Sequence, residues 1–248
     1  MLRVAVVTPY YQEPTEILAK CLESVRQQNY PCLHILVCDG GAATLPAVSE
    51  KILQLKLPTP SRDWGNTPRA LGGLLAQAQG VDAITYLDAD NWFEPDHIEK
   101  MVRAHEMSRA PVVACKRQFF TYDGRLMGIF EFSEARCHHV DTSCYMLFRP
   151  AFALLSAWMM PKPVASICDR VFFAKLLSAG QQIHFTDEKT VCYRSRAASH
   201  YHAAGLPMPH NVKGQSVYEG AIRYMRSPEG RREIIQSLGF DPVLVREN

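Results

Sequence analysis

The chain has 248 residues, 47% of them hydrophobic and 21% charged, with a formal net charge of +2. That apolar content excludes a disordered chain, and the near-balanced charge gives no electrostatic case for nucleic acid. No apolar run reaches the roughly 18–20 residues of a membrane-spanning helix. Eight cysteines lie scattered, without the paired spacing of a disulfide scaffold. The first residues run straight into a strand-like stretch with no leader, so the expectation is a cytoplasmic enzyme with reduced thiols.

Residues 2–7 read as a buried strand ending at Thr8-Pro9. Ile17, Leu18, Cys21, Leu22 and Val25 share one helical face, and that helix stops before Asn29 and Pro31. Residues 33–38 form a second buried strand, ending in Asp39-Gly40-Gly41, after which no clear pattern emerges as far as Leu57. A Pro- and Gly-bearing loop leads to a helix with Leu71, Leu74, Leu75 and Ala78 at helical spacing, Thr67 as its N-cap and Pro68 as its first residue. Residues 83–87 are the next strand, followed by Asp88-Ala89-Asp90. Ile98, Met101, Val102 and His105 mark a helix after Pro95, and residues 112–115 another strand.

After residue 119 the pattern changes. Tyr122-Asp123-Gly124-Arg125 reads as a hairpin turn between residues 119–120 and 127–132. Residues 140–148 are a strand candidate halted by Pro150, and Val171, Phe172, Leu176 and Leu177 mark a helix ending at Gly180. Beyond Arg196 the chain reads as a long loop, followed by amphipathic helices over 217–225 and 229–238. The expectation is an α/β fold: a mostly parallel sheet with flanking helices, a smaller mixed second half, and a helical tail. Residues 1–210 would be one unit and 211–248 the tail. In such sheets ligands bind beyond the carboxyl ends of the strands, where Thr8, Asp39 and Asp88-Asp90 lie.

Asp88 and Asp90, one small residue apart after an apolar strand, would point to the same side if strand alternation continued. Ala89 would then leave room for a ligand. Such a pair suits a hard divalent cation shared with substrate phosphates, or a solvated turn capping the next helix. The Asp39 turn could offer a carboxylate and N–H groups to a nucleotide, or be an ordinary loop. Arg69, in the first turn of a helix, could receive a phosphate or be a solvated surface side chain. Cys137-His138-His139 with Cys144 has ligand types for zinc but not the spacing of a structural site. Asp141-Thr142-Ser143 faces the acceptor side or forms a strand end. Trp92 and Trp158 read as core or cleft-wall residues.

Taken in order, TPYY, VCDGG, DWGNTPRALGG and YLDADNWFEPD resemble the family 2 glycosyltransferases. The matching positions are Thr8 to Tyr11, then Leu22, Ser24, Val25 and Gln28, then Asp39, then Asp63, Gly65 and Arg69, then Asp88 and Asp90. The resemblance implies a GT-A type, Rossmann-like fold and inverting transfer from a nucleotide-diphosphate sugar, a UDP-sugar first among them. It implies that Tyr10 or Thr8 and Asp39 hold the base with Asp63 nearby, and that Arg69 and Asp88 belong to the nucleotide site. Asp88 would contact the ribose or the metal, and Asp90 would ligate Mn²⁺ or Mg²⁺ on the diphosphate. Asp169, at a helix start, would be the general base, although Cys168 stands before it where the family carries an acid. After a late strand at residues 191–194, His200 or His202 would approach the metal, with His202 preferred.

The acceptor implied is a glycan or lipid-linked glycan in cell-envelope polysaccharide synthesis. A catalytically silent binder of the same fold is the alternative. A nucleotidyltransferase would need a glycine-rich basic loop, and residues 8–14 have neither glycine nor basic residue. In the tail, Arg223, Arg226, Arg231 and Arg232 stand beside Ile222, Tyr224, Met225, Ile234 and Ile235. That pattern suits peripheral contact with the inner face of a membrane, or an apolar face docked on the domain or on a second subunit as a homodimer.

Overall fold

The structure is a computed structural model that describes residues 1–40, 52–130, 139–210, 212 and 216–243. Val4–Tyr10 (β1) is buried at every position, and Cys32–Cys38 (β2) is buried from His34 onward. Continuous burial requires cover on both faces, and alternation shows what supplies it. Thr15–Arg26 (α1) sets Leu18 and Leu22 against Tyr10, Leu36 and Cys38. Asn66–Ala78 (α2) takes the opposite face, over Val7 and Val37.

The face that α2 presents is not the leucine face expected. Leu74 is 39% exposed, while Ala70, Gly72, Gly73 and Ala76 are buried. The small residues let the helix backbone approach the sheet: a Cβ on Gly72 would sit 2.4 Å from Val7 Cγ1 and 2.9 Å from Val37 Cγ2. Gly73 is equally confined, by the Tyr86 hydroxyl and Leu155.

The remaining elements are Ile52–Lys56 (β3), Ala83–Tyr86 (β4), Trp92–Phe93 (β5), His97–Ser108 (α3), Val112–Phe120 (β6), Tyr145–Phe148 (β7), Cys168–Ser178 (α4), Ile183–Arg194 (β8), Ala198–Ala203 (α5), Ser216–Arg226 (α6) and Pro228–Leu238 (α7). Short 3₁₀ segments cover Thr142–Cys144, Arg149–Trp158 and Lys162–Ile167. The eight strands form one sheet in the order β3-β2-β1-β4-β7-β6-β8-β5. β1 pairs parallel with β2 and β4, β2 with β3, and β6 with β8, whereas β7 runs antiparallel to β4 and β6, and β5 to β8. All strands but β5 and β7 therefore point the same way, and their carboxyl ends open on one edge.

Several expectations for the second half are corrected. β6 does not stop at residue 115. Two register irregularities at Lys116 and Arg117 carry those charged residues through the strand, paired with Asp187 at 2.7 Å and Asp141 at 2.7 Å. The tight turn at residues 121–126 forms, closed by the Thr121 N–H on Arg125 O, but its return arm is a single bridge at Leu126 rather than a strand over 127–130. The strand expected from 140 starts at Tyr145, after a 3₁₀ turn. α5 occupies part of the expected loop, and β3 the stretch read as patternless.

The tail helices stand where expected, over Ser216–Arg226 and Pro228–Leu238. Ala221, Ile234, Leu238 and Phe240 are buried in the same apolar core as the sheet, with Tyr218, Ile222, Tyr224 and Met225 packed against it. α6 lies on residues 162–167, and Lys175 Nζ donates to Leu238 O at 2.7 Å. The apolar face thus docks on its own chain. Among the described residues no helix is long and apolar enough to cross a membrane.

Two measurements check this packing. Gly72→Ala gains about 1 kcal/mol of helix propensity but forces a methyl into Val7, at about 1–3 kcal/mol. The net outcome expected is a lower thermal midpoint, and an unchanged or higher one would contradict the close approach. His34, buried with Nε2 2.9 Å from Thr8 Oγ1, has its pKa pushed down to about 3 by burial from an ordinary 6.5. Its contribution is full above pH 6.5 and is lost toward pH 3, at about 1.4 kcal/mol per pH unit. Urea unfolding between pH 7 and 4.5 should show a shallower loss for His34→Gln than for the wild type.

Candidate active site

Every acidic motif of the sequence lies at the open edge of the sheet. Asp39 follows β2, where its N–H donates to Tyr10 O at 2.8 Å. Its Oδ1 accepts the Ser61 N–H at 2.8 Å, and its Oδ2 lies 2.8 Å from Ser61 Oγ. The same hydroxyl is 2.7 Å from Asp63 Oδ1. One hydroxyl carries one proton, so it can serve only one of the two carboxylates at a time. Both acids are buried, at 7% and 5% exposure. Gly40, at φ +74, is required here because a Cβ would strike the Pro60 backbone at 2.3 Å, while Gly41 lies outside the described residues.

Asp63 is chiefly a helix cap. Its carboxylate accepts the N–H groups of Asn66 and Thr67 at 3.0 and 2.9 Å, and the Thr67 hydroxyl at 2.6 Å. It does the work expected of Thr67 as N-cap, satisfying the free amides at the start of α2. Arg62 and Trp64 hold φ of 54° and 62°, so this short loop is strained as well as capped. Thr8 is fully buried, with its hydroxyl on His34. Tyr10 is 6% exposed, and burial with Cys38 beside it pushes its hydroxyl pKa well up, keeping it neutral.

Asp88 to Asn91 form a turn, not a continued strand, closed by the Asn91 N–H on Asp88 O at 2.9 Å. Ala89 is buried in the apolar cluster of Tyr10, Leu18, Leu22, Leu36 and Cys38. Asp88 Oδ1 accepts from Arg69 Nη2 at 2.5 Å and Oδ2 from Thr142 Oγ1 at 2.9 Å. Arg69 is 4% exposed, with Nη1 on Trp64 O at 2.9 Å and on Asn66 Oδ1 at 3.0 Å. It is not a solvated side chain but the buried partner of Asp88. Ser143 Oγ takes the Asp88 N–H and Asn91 Nδ2, both at 3.2 Å. Asp90 is about a quarter exposed, with Arg196 Nη2 3.4 Å from Oδ2 and Arg194 Nε 3.0 Å from its carbonyl. Glu13, raised in pKa by burial and by Asp90, lies beside this pair.

Asp169 is the second residue of α4, 26% exposed, with Oδ1 on its neighbour's N–H at 2.9 Å and Oδ2 3.7 Å from His139 Nε2. Asp141 stands near it, bonded to Arg117 and to the Ser143 N–H at 3.0 Å. Burial outweighs Arg117 there, and with Asp88 and Asp169 adding repulsion its pKa is pushed up to about 7. Asn66 Nδ2 reaches Ala165 O at 3.3 Å, tying the start of α2 to the segment before α4. His200 bonds Ser195 Oγ at 2.7 Å, and burial together with Arg117 and His139 lowers its pKa to about 4. His202, two residues on, is exposed. His200 is thus turned inward onto Ser195, and His202 to solvent.

The motif reading did not find Ser61, Arg117 or Arg196. Their only sequence signal was position, beside a strand end or a motif already noted. Cys137 and His138 lie outside the described residues. Among the described residues no three His, Cys, Asp or Glu side chains are grouped to hold a metal. The donor set does not suit a cation held by protein alone. It does suit one bound by a single accessible carboxylate and completed by substrate phosphates and water, and Asp90 is a carboxylate that would serve.

The sequence matches the family described as Glycosyl transferase family 2 over residues 5–177. EpsH of Bacillus subtilis (strain 168), which carries a glycosyltransferase name, is 29% identical over 106 residues, 40% of this chain and 29% of EpsH. The chain therefore matches less than a third of that relative's length. In fold it is similar to S. aureus TarS, with a TM-score of 0.61 at 14% identity over 82% of this chain and 38% of TarS. For TarS 1–349 in complex with UDP-GlcNAc the TM-score is 0.62 at 14% identity, over 98% of this chain and 74% of that one. At such identities the likeness is one of fold, and the fold is the expected GT-A type. The family match runs from β1 to the end of α4 and takes in each motif from Asp39 to Asp169, so the chain belongs to glycosyl transferase family 2.

Proposed function

We propose that the chain transfers a sugar from a UDP-sugar to an acceptor hydroxyl with inversion. The observation that carries this is the convergence of Asp39, the Asp88–Asp90 turn and Asp169 on one edge of the sheet. Asp39, beside Tyr10 and Ser61, receives the base. Asp88, held by Arg69 and Thr142, faces the ribose. Asp90 would hold Mn²⁺ or Mg²⁺, which when bound offsets the charge of the departing diphosphate. Thr8 and Asp63 act through structure, as the partner of His34 and the cap of α2.

In this reading Asp169 removes the acceptor's hydroxyl proton. The freed oxygen bonds to the anomeric carbon as the sugar–phosphate bond breaks, and the nucleoside diphosphate leaves with the electron pair. His139 Nε2 stands 3.7 Å from one carboxylate oxygen, an ion pair when the imidazole is protonated. The acceptor proposed is a glycan hydroxyl, lipid-linked or free, in envelope polysaccharide synthesis, which rests on the family resemblance alone. Docking of the tail on its own core supports a structural tail over a membrane-bound one. A second reading, a silent nucleotide-sugar binder, has Arg196 in its favour, because that guanidinium already neutralises Asp90.

Thermal shift with UDP-GlcNAc, UDP and GDP in the presence of Mn²⁺ should raise the midpoint for the uridine ligands. Donor hydrolysis should fall at least about 100-fold in both Asp90→Asn and Asp169→Asn, with their midpoints unchanged. Full turnover by both variants would remove the assigned roles, and binding without any wild-type turnover would favour the silent reading.

A further inference from the structure

The two acids of the Asp88–Asp90 turn each face an arginine, and the two pairs differ in kind. Arg69 Nη2 and Asp88 Oδ1 lie 2.5 Å apart, with the arginine side chain 5% exposed. Arg196 Nη2 lies 3.4 Å from Asp90 Oδ2, with the two side chains 37% and 24% exposed. The first pair is desolvated and cross-braced, so removing either partner strands a buried charge. The second is long and open to water, and an ion pair of that kind is weak enough to exchange.

The backbone on either side of Arg196 is held. The Arg194 N–H donates to Asn91 Oδ1 at 2.9 Å, its Nε to Asp90 O at 3.0 Å, and its Nη1 to Tyr122 O. The Ser195 N–H donates to Phe120 O at 2.8 Å, and its hydroxyl accepts the Ala197 N–H at 3.1 Å. Arg196 is thereby tethered beside the Asp90 turn through the main chain, while its guanidinium keeps the freedom of an exposed side chain. Glu13, its Oε2 fixed by the Tyr11 N–H at 2.7 Å, is a second carboxylate within the field of both Asp90 and Arg196.

A divalent cation on Asp90 and the Arg196 guanidinium compete for one carboxylate, and at that range they repel each other. A diphosphate reverses the sign, because its oxygens bind the cation and accept from the guanidinium together. We propose that Arg196 is an internal counter-ion of Asp90 that makes cation binding conditional on the donor. It opposes Mn²⁺ or Mg²⁺ alone and turns to the diphosphate when cation and nucleotide arrive together. The inference rests on the UDP-sugar reading above and adds an order of assembly to it. The contact that favours a silent site then becomes a source of coupling. That coupling is reciprocal: the nucleotide raises cation affinity by the factor by which the cation raises nucleotide affinity.

The test is titration of the full chain with MnCl₂, with and without saturating UDP, unbound Mn²⁺ being read by electron paramagnetic resonance. Wild type is compared with Arg196→Gln and Arg196→Lys, whose thermal midpoints verify folding. Without nucleotide, Arg196→Gln should bind Mn²⁺ about 5- to 10-fold tighter than wild type, the effect of removing one unit charge beside the cation in largely aqueous surroundings. The gain in Mn²⁺ affinity that UDP confers should shrink by at least the same factor. Arg196→Lys keeps the charge and should stay within about twofold of wild type. Mn²⁺ binding by Arg196→Gln no tighter than wild type, or Arg196→Lys as tight as Arg196→Gln, overturns the role of Arg196 and leaves the donor reading standing. A wild type that binds neither UDP nor, in its presence, Mn²⁺ removes the donor reading itself, and this inference with it.

Discussion

The contact on which the rest of the site depends is the ion pair between Arg69 and Asp88, 2.5 Å apart, with the guanidinium almost wholly buried. A buried charge is tolerable only when paired and further hydrogen-bonded, and losing one partner costs about 3–5 kcal/mol. Here the requirement is met from three directions. Arg69 also holds the Trp64 carbonyl of the strained loop and the Asn66 side chain of α2, while Thr142 takes the second Asp88 oxygen. A single pair thus locks the loop after β3, the turn after β4 and the turn before β7 into one arrangement. It also sorts the two acids of the motif, because Asp88 is committed to the protein and Asp90 is left at the rim.

The first half of the fold was legible because its strands are buried on both faces, which writes them as unbroken apolar runs. α2 was legible as a helix and misread in rotation. The pattern of leucines normally marks the buried face, but here Ala70, Gly72, Gly73 and Ala76 allow a closer approach than leucine would. β3 has five residues of alternating character at the sheet edge, too few to rise above its surroundings. In the second half, Lys116 and Arg117 interrupt β6 in sequence but not in space, because each has its own acid. α5 is only six residues long, and much of its hold comes from Tyr201, whose hydroxyl accepts the Tyr122 N–H at 2.8 Å. No local pattern announces such a contact.

Of the candidate site, the positions were readable and the duties were not. Thr8, Asp39, Asp63, Asp88, Asp90 and Asp169 all reach the open edge, because strand ends and helix starts in this class of sheet must. Whether a carboxylate at an edge caps a helix, as Asp63 does, or stays exposed, as Asp90 does, is decided by neighbours far away in sequence. The choice between His200 and His202 is similar. The register of α5 turns one inward and the other to solvent, and a segment read as loop has no register.

The shared hydroxyl of Ser61 gives the end of the sheet edge proposed to receive the base a particular character. Asp63 has further donors in the N–H groups of Asn66 and Thr67 and the Thr67 hydroxyl, whereas Asp39 Oδ2 shares the Ser61 hydroxyl with it. A heterocycle presenting an imide or lactam N–H would relieve that imbalance, letting Ser61 turn wholly to Asp63. One presenting a bare ring nitrogen, as cytosine does at its pairing edge, would set a lone pair against the Asp39 carboxylate. Choice among pyrimidines would then follow from proton count alone, with no change in shape.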